Sequence, residues 1–182
     1  MTVRITRRAA LGGGAAALFL ASCGGGDPAP GGGAEPGSGA GLLSSLLALE
    51  LAVIAAYEYS APSLDKEASR YARLIRDEEE SHARFLAAQI RDLGGDPPAG
   101  RSAAEYRETF PRLEGASDAL RFLEDLEQRQ VRAYLEALAE LPELDQRLGA
   151  AEIGAREGAQ LATIRALAGA PPSPHPFETG AL

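Results

Sequence analysis

One pattern occurs twice in this chain, and it restricts the available folds more than any other feature. A Glu is followed seven residues on by a Tyr; on the next helical segment a Glu is followed three residues on by an imidazole or an amide. The first copy is Glu50 and Tyr57 in LELAVIAAYEY, then Glu79 and His82 in RDEEESHARFL. The second is Glu127 and Tyr134 in LEQRQVRAYLE, then Glu157 and Gln160 in AREGAQLATIRAL. Each Glu falls on an apolar stripe stepping by three and four, as one face of a helix requires. The stripes run through Leu43, Leu47, Ile54 and Tyr57; through Ile75, Leu86 and Leu93; through Leu120, Leu123, Leu138 and Leu141; and through Ile153, Ile164 and Leu167. An unpaired carboxylate on such a face costs several kcal/mol, against a domain stability of roughly 5–15 kcal/mol. Four of them must be protonated, paired with Arg, or gathered around something positive, of which a pair of metal ions is the usual example.

These stripes predict an all-α fold, a four-helix bundle of two helix hairpins. The first helix ends near Ser60-Ala61-Pro62, and the second starts around Ser63 to Asp65 and stops at Gly94-Gly95. Ser117 or Asp118 is the expected cap of the third, Pro142 ends it or begins the next, and Gly169-Ala170-Pro171-Pro172 stops the fourth. Between the hairpins, Gly94 to Gly115 holds Pro97, Pro98 and Pro111 and no sustained periodicity. So long a connection implies a crossover from one end to the other, placing the third helix parallel to the second. The bundle is expected over residues 42–169, with a Pro-rich tail over 170–182.

Ahead of the bundle, Thr6-Arg7-Arg8 precedes an apolar run from Ala9 to Ala21 that is too short to span a bilayer, so residues 1–22 read as a signal peptide. Leu20-Ala21-Ser22-Cys23 resembles a bacterial lipobox, and the Arg pair resembles a twin-arginine export signal. Residues 23–41, almost all Gly, Pro, Ala and Ser, then form a tether. The expected location is the bacterial cell envelope, with lipidated Cys23 as the anchor in the membrane. With the single Cys so used, no disulfide or thiolate metal centre can form. The net charge of -8 excludes nucleic acid as a natural partner.

The residues from Leu42 to about Ala168 resemble the ferritin-like superfamily, especially rubrerythrin-type and exported bacterial ferritin-like domains. That resemblance implies two metals held by a Glu from each of two helices and an E-x-x-H from each of the others. Carried over, Glu50 and His82 are terminal ligands of one metal, Glu127 of the other, and Glu79 and Glu157 bridge them. Gln160 stands where a second His belongs, and an amide oxygen is a weaker ligand than imidazole for iron. The implied cofactor is iron, as a di-iron or mononuclear site, or manganese. The implied chemistry is that of a non-haem oxidoreductase oxidising Fe(II) or reducing oxygen or peroxide, with an outside electron donor and a homo-oligomer among its possible associations. Tyr57 and Tyr134 are either core aromatics or phenols beside the site. A single-metal site and a metal-free envelope-binding module are the alternatives.

Overall fold

The computed structural model describes residues 37–180; the leader, Cys23 and most of the tether lie outside the described residues. There are five helices and no strand among the described residues: α1 (Gly39–Ser60), α2 (Lys66–Asp92), α3 (Ala103–Thr109), α4 (Ala116–Glu140) and α5 (Leu144–Leu167). A 3-10 turn, Ala61–Ser63, links the first two.

Local chemistry sets the helix ends. Ser38 caps α1 by accepting from the Gly41 amide at 3.1 Å, so the helix starts ahead of Leu42 despite two glycines in its first turn. Asp65 caps α2 through the Ala68 amide at 2.8 Å. Gly94 and Gly169, with φ of +76° and +75°, close α2 and α5 in the left-handed region that only glycine enters readily. The expected cap of α4 is different: Gly115 is its N-cap, and Asp118 reaches back from the first turn to the Glu114 amide at 3.1 Å. Leu93 is also displaced from its expected place, since it lies past the last turn of α2 and is exposed. The crossover is not devoid of structure, for it contains α3, capped by Ser102 and Glu105 bonding each other's backbone amides.

The core shows how the helices run. One apolar cluster joins Leu43 and Leu47 at the start of α1 with Ile90 at the end of α2, Ala137 at the end of α4 and Ala150 near the start of α5. The other joins Ala56 late in α1 with Ala68 early in α2, Leu120 early in α4 and Ile164 late in α5. Each hairpin is therefore antiparallel within itself, and α4 runs parallel to α2, as the long crossover predicts. Between the two apolar clusters lies a polar layer containing Glu50, Glu79, Glu127 and Glu157, each with no exposed surface. Fully burying a Leu or Ile contributes about 1.5–3 kcal/mol, and these flanking clusters offset the cost of that layer. α1 has the length and mean hydropathy, 1.9, of a membrane span, but here it packs against α2, α3 and α4 with Glu50 at its middle.

Candidate metal centre

Each hairpin delivers its carboxylates from mid-helix, where backbone groups are already paired and side chains must supply any further satisfaction. Ligand atoms of Glu50, Glu79, His82 and Glu157 all lie within 4.8 Å of one another. His82 Nδ1 is 3.0 Å from Glu157 Oε1, 3.8 Å from Glu79 Oε2 and 3.9 Å from Glu50 Oε2. The approach to Glu157 is close without hydrogen-bond alignment, so it is an ion contact. Three helices thus supply one four-residue cluster.

Glu127 shares the buried layer but stands outside that cluster. Its Oε1 accepts a short hydrogen bond from the Tyr57 hydroxyl. In the mirror-image contact the Tyr134 hydroxyl donates a short bond to Glu50 Oε1, so each hairpin's tyrosine serves the other hairpin's glutamate. Both tyrosines are buried beside the carboxylates. Gly154 lets α5 come close at this level, since a Cβ there would lie 3.0 Å from Tyr134 Cβ.

Gln160 is buried, and its Nε2 donates to Glu78 Oε2 at 3.1 Å. An ionised carboxylate only accepts, so the amino end must face Glu78 and the carbonyl end must face away. That Oε1 has no hydrogen-bond partner among the described residues. Glu78, which a helical acid run would place on a solvated face, is instead half-buried and also accepts from Arg156, at 3.0 Å for Nε. Glu124 departs from the same expectation, accepting from Arg165 at 2.9 Å and from Gln128 at 3.2 Å.

Gln130 is the site residue that sequence reasoning missed. It has no exposed surface, and its Nε2 donates to Glu79 Oε2 at 2.8 Å and Glu50 Oε2 at 3.1 Å. The signal was available: Gln130 follows Glu127 by three and precedes Tyr134 by four, on the same stripe.

Burial in a layer of like charges shapes the protonation. Loss of water pushes Glu50 and Glu127 well above the ordinary carboxylate value, reinforced by Glu79 and Glu157. Burial likewise takes Glu157 to about 7, although His82 opposes it. Glu79 ends below its ordinary value: burial raises it, but the nearby Glu50 and His82 and the hydrogen bond from Gln130 outweigh that. Burial would lower His82, yet the carboxylates of Glu157 and Glu79 carry it up to about 9.

The donor set suits a cation. Glu79 Oε1, Glu127 Oε2 and both oxygens of Glu157 have no hydrogen-bond partner among the described residues, an arrangement rare for buried groups unless something positive fills it. Carboxylate oxygens with one imidazole nitrogen match iron or manganese better than soft, thiolate-seeking ions.

Residues 38–170 match the family model of the ferritin-like domain, and the chain belongs to that family. Among solved structures, a conserved hypothetical protein from Mycobacterium tuberculosis aligns with a TM-score of 0.67 at 16% identity, covering 79% of this chain and 99% of its own. Ferritin-like, diiron-carboxylate proteins from Bacillus anthracis align with a TM-score of 0.62 at 19% identity, covering 71% of this chain and 94% of theirs. A search of curated proteins finds no match.

Proposed function

We propose that this chain is an exported, lipid-anchored protein of the bacterial envelope that holds iron in its polar layer and oxidises Fe(II) or reduces oxygen or peroxide. The observation that carries the reading is the gathering of Glu50, Glu79, His82 and Glu157 with several buried oxygens left unpaired. Those residues would hold the metal, with Glu127 beside them and Gln160 Oε1 as a further neutral oxygen. Bound iron would supply electrons to oxygen or peroxide, and manganese could occupy the same donors. The chain's own part is to strip water from the layer, to fix Glu50 and Glu127 through Tyr134 and Tyr57, and to release the protons of Glu50, Glu157 and His82 as a cation arrives. The likeness to diiron-carboxylate proteins supports this reading. In Fe(II) oxidation the substrate furnishes the electrons; repeated peroxide reduction would need an outside donor, since the sequence has one Cys and that residue is assigned to the lipid.

Metal analysis of the purified full-length chain, with an Fe(II) oxidation assay, tests the core of the proposal. At least one iron or manganese per chain is expected, and none after anaerobic reconstitution would refute it. Cys23→Ser should release the protein from the membrane fraction or block its processing; unchanged membrane association without attached lipid would end the anchoring assignment.

A second reading is a metal-free bundle that binds an envelope partner through its acidic surface. One observation favours it. Tyr134 and Gln130 serve Glu50, Gln130 serves Glu79, Tyr57 serves Glu127, and His82 lies against Glu157, so each of the four carboxylates has at least one protein partner without a metal. The same metal analysis separates the two.

A further inference from the structure

The duplication makes Gln130 conspicuous. Three residues after Glu50 the first copy has Val53, buried in the apolar core, whereas three residues after Glu127 the second has Gln130. A carboxamide in so dry a place is unfavourable unless both its ends are used. Only one end is: the amino group donates to Glu50 Oε2 and Glu79 Oε2, and Oε1 has no hydrogen-bond partner among the described residues.

Those two oxygens are also the ones through which Glu50 and Glu79 approach His82 Nδ1, at 3.9 and 3.8 Å, behind Glu157 Oε1 at 3.0 Å. They are therefore the oxygens that a cation shared with His82 would require. The positive end of an N–H dipole repels a cation on the same oxygens, so the amino group and the metal compete for Glu50 and Glu79. We propose that Gln130 is a built-in stand-in for the metal: its amino group holds Glu50 and Glu79 together in the metal-free chain and gives way when the ion enters. It thereby holds the carboxylates in place without metal and lowers the affinity of the site for the ion. The inference rests on the metal-binding reading above, and it assigns to Gln130 a role that its partner position, Val53, does not have.

The test uses the full-length chain, Gln130→Met and Gln130→Leu, with Co(II) alone as the probe, followed by its visible absorption, and thermal unfolding of the metal-free proteins. Both variants remove the amide at similar volume. They should unfold at lower temperature without metal and, with no amide bonds to charged oxygens left to break, bind Co(II) at least about tenfold more tightly than the unmodified chain. If the unmodified chain binds Co(II) and the variants bind no more tightly, the stand-in is wrong while the metal site survives; weaker binding, which would make Gln130 a ligand, overturns it equally. If none of the three binds Co(II), the metal reading fails and the stand-in fails with it. Binding only in the variants would support it. A measurement on the unmodified chain guards against misfolded variants. The side-chain amide protons of Gln130 should be protected from exchange without metal and should shift or lose protection when diamagnetic Zn(II) is added. Resonances unmoved at full Zn(II) loading would overturn the proposal.

Discussion

The two hairpins share a frame and differ in what they bring to it. The α1–α2 hairpin sends His82 inward to within 3.0 Å of Glu157, whereas the α4–α5 hairpin has Gln160 at the matching place, with its amino group turned outward to Glu78. The α4–α5 hairpin in return contributes Gln130, which reaches across to Glu50 and Glu79. The scaffold has kept its approximate symmetry, as the reciprocal Tyr57–Glu127 and Tyr134–Glu50 bonds record. The donor chemistry has not. A duplicated bundle can thus hold its carboxylates at fixed places while one half loses ligand strength, because helix packing fixes the places and single side chains fix the chemistry.

The largest expected effect breaks the shared part. Glu79 lies inside the four-residue cluster and Glu127 outside it. Glu79→Ala should weaken metal binding at least as much as the loss of an outer-shell partner does, roughly 100-fold or more, and Glu127→Ala distinctly less. Metal titration of the two variants checks this, and equal losses would mean that both hairpins contribute equally.

Next in size is a change that restores the symmetry. Gln160→His replaces a neutral amide with an imidazole, which should raise metal stoichiometry toward two per chain and increase any Fe(II) oxidation. The variant also gives up the 3.1 Å bond to Glu78, so that carboxylate should rely on Arg156 alone. Stoichiometry unchanged from the parent would show that the α4–α5 half is closed to metal by more than one side chain.

How much of this could be read beforehand depends on the range of the interaction. The stripes placed Glu50, Glu79, Glu127 and Glu157 in the interior because a face repeating every three and four residues can only be buried one way. The stops at Gly94 and Gly169 were legible from residue type. α3, at seven residues, is too short to show a period, and its one cue is the Ser102-to-Glu105 capping box. The half-buried places of Glu78 and Glu124 are not legible locally, because they depend on Arg156 and Arg165, residues far along the chain that α5 brings against them. The inward face of Gln130 is legible from its spacing to Glu127 and Tyr134, but its two partners lie on the other hairpin, which no local window contains.

The tyrosines give a mid-sized test of how the halves differ. Glu127 depends on Tyr57 for its one side-chain hydrogen bond, while Glu50 has both Tyr134 and Gln130. Removing a hydroxyl that leaves a buried acceptor unsatisfied costs about 1–3 kcal/mol. Tyr57→Phe should therefore destabilise the metal-free protein toward the upper end of that range and Tyr134→Phe toward the lower end, as read by denaturant unfolding. The reverse order would mean that Glu127 has a partner the hydrogen-bond geometry does not reveal.

The smallest effect concerns a feature that only the α4–α5 hairpin has, the tail folded back over it. Glu178 pairs with buried Arg165, which also holds Glu124 at 2.9 Å, and Arg132 donates to the Gly180 carbonyl. Burial would raise the Glu178 carboxyl, but Arg165 and the Gly180 amide hold it below its ordinary value of 4.5. A folded pKa below the unfolded one contributes stability that is present above pH 4.5 and is lost as the pH falls through the lower, folded value. On acidification below pH 4.5, as the pH passes through the lower folded value, the tail should therefore loosen from α4 and α5 while the bundle keeps its helicity. The Gly180 amide, 3.2 Å from Glu178 Oε1, reports this directly: its NMR resonance should move in that window, and Glu178→Gln should remove the response. A Gly180 signal that does not move while Glu178 titrates would show that backbone packing against Gln128 and Arg132, and not the ion pair, holds the tail.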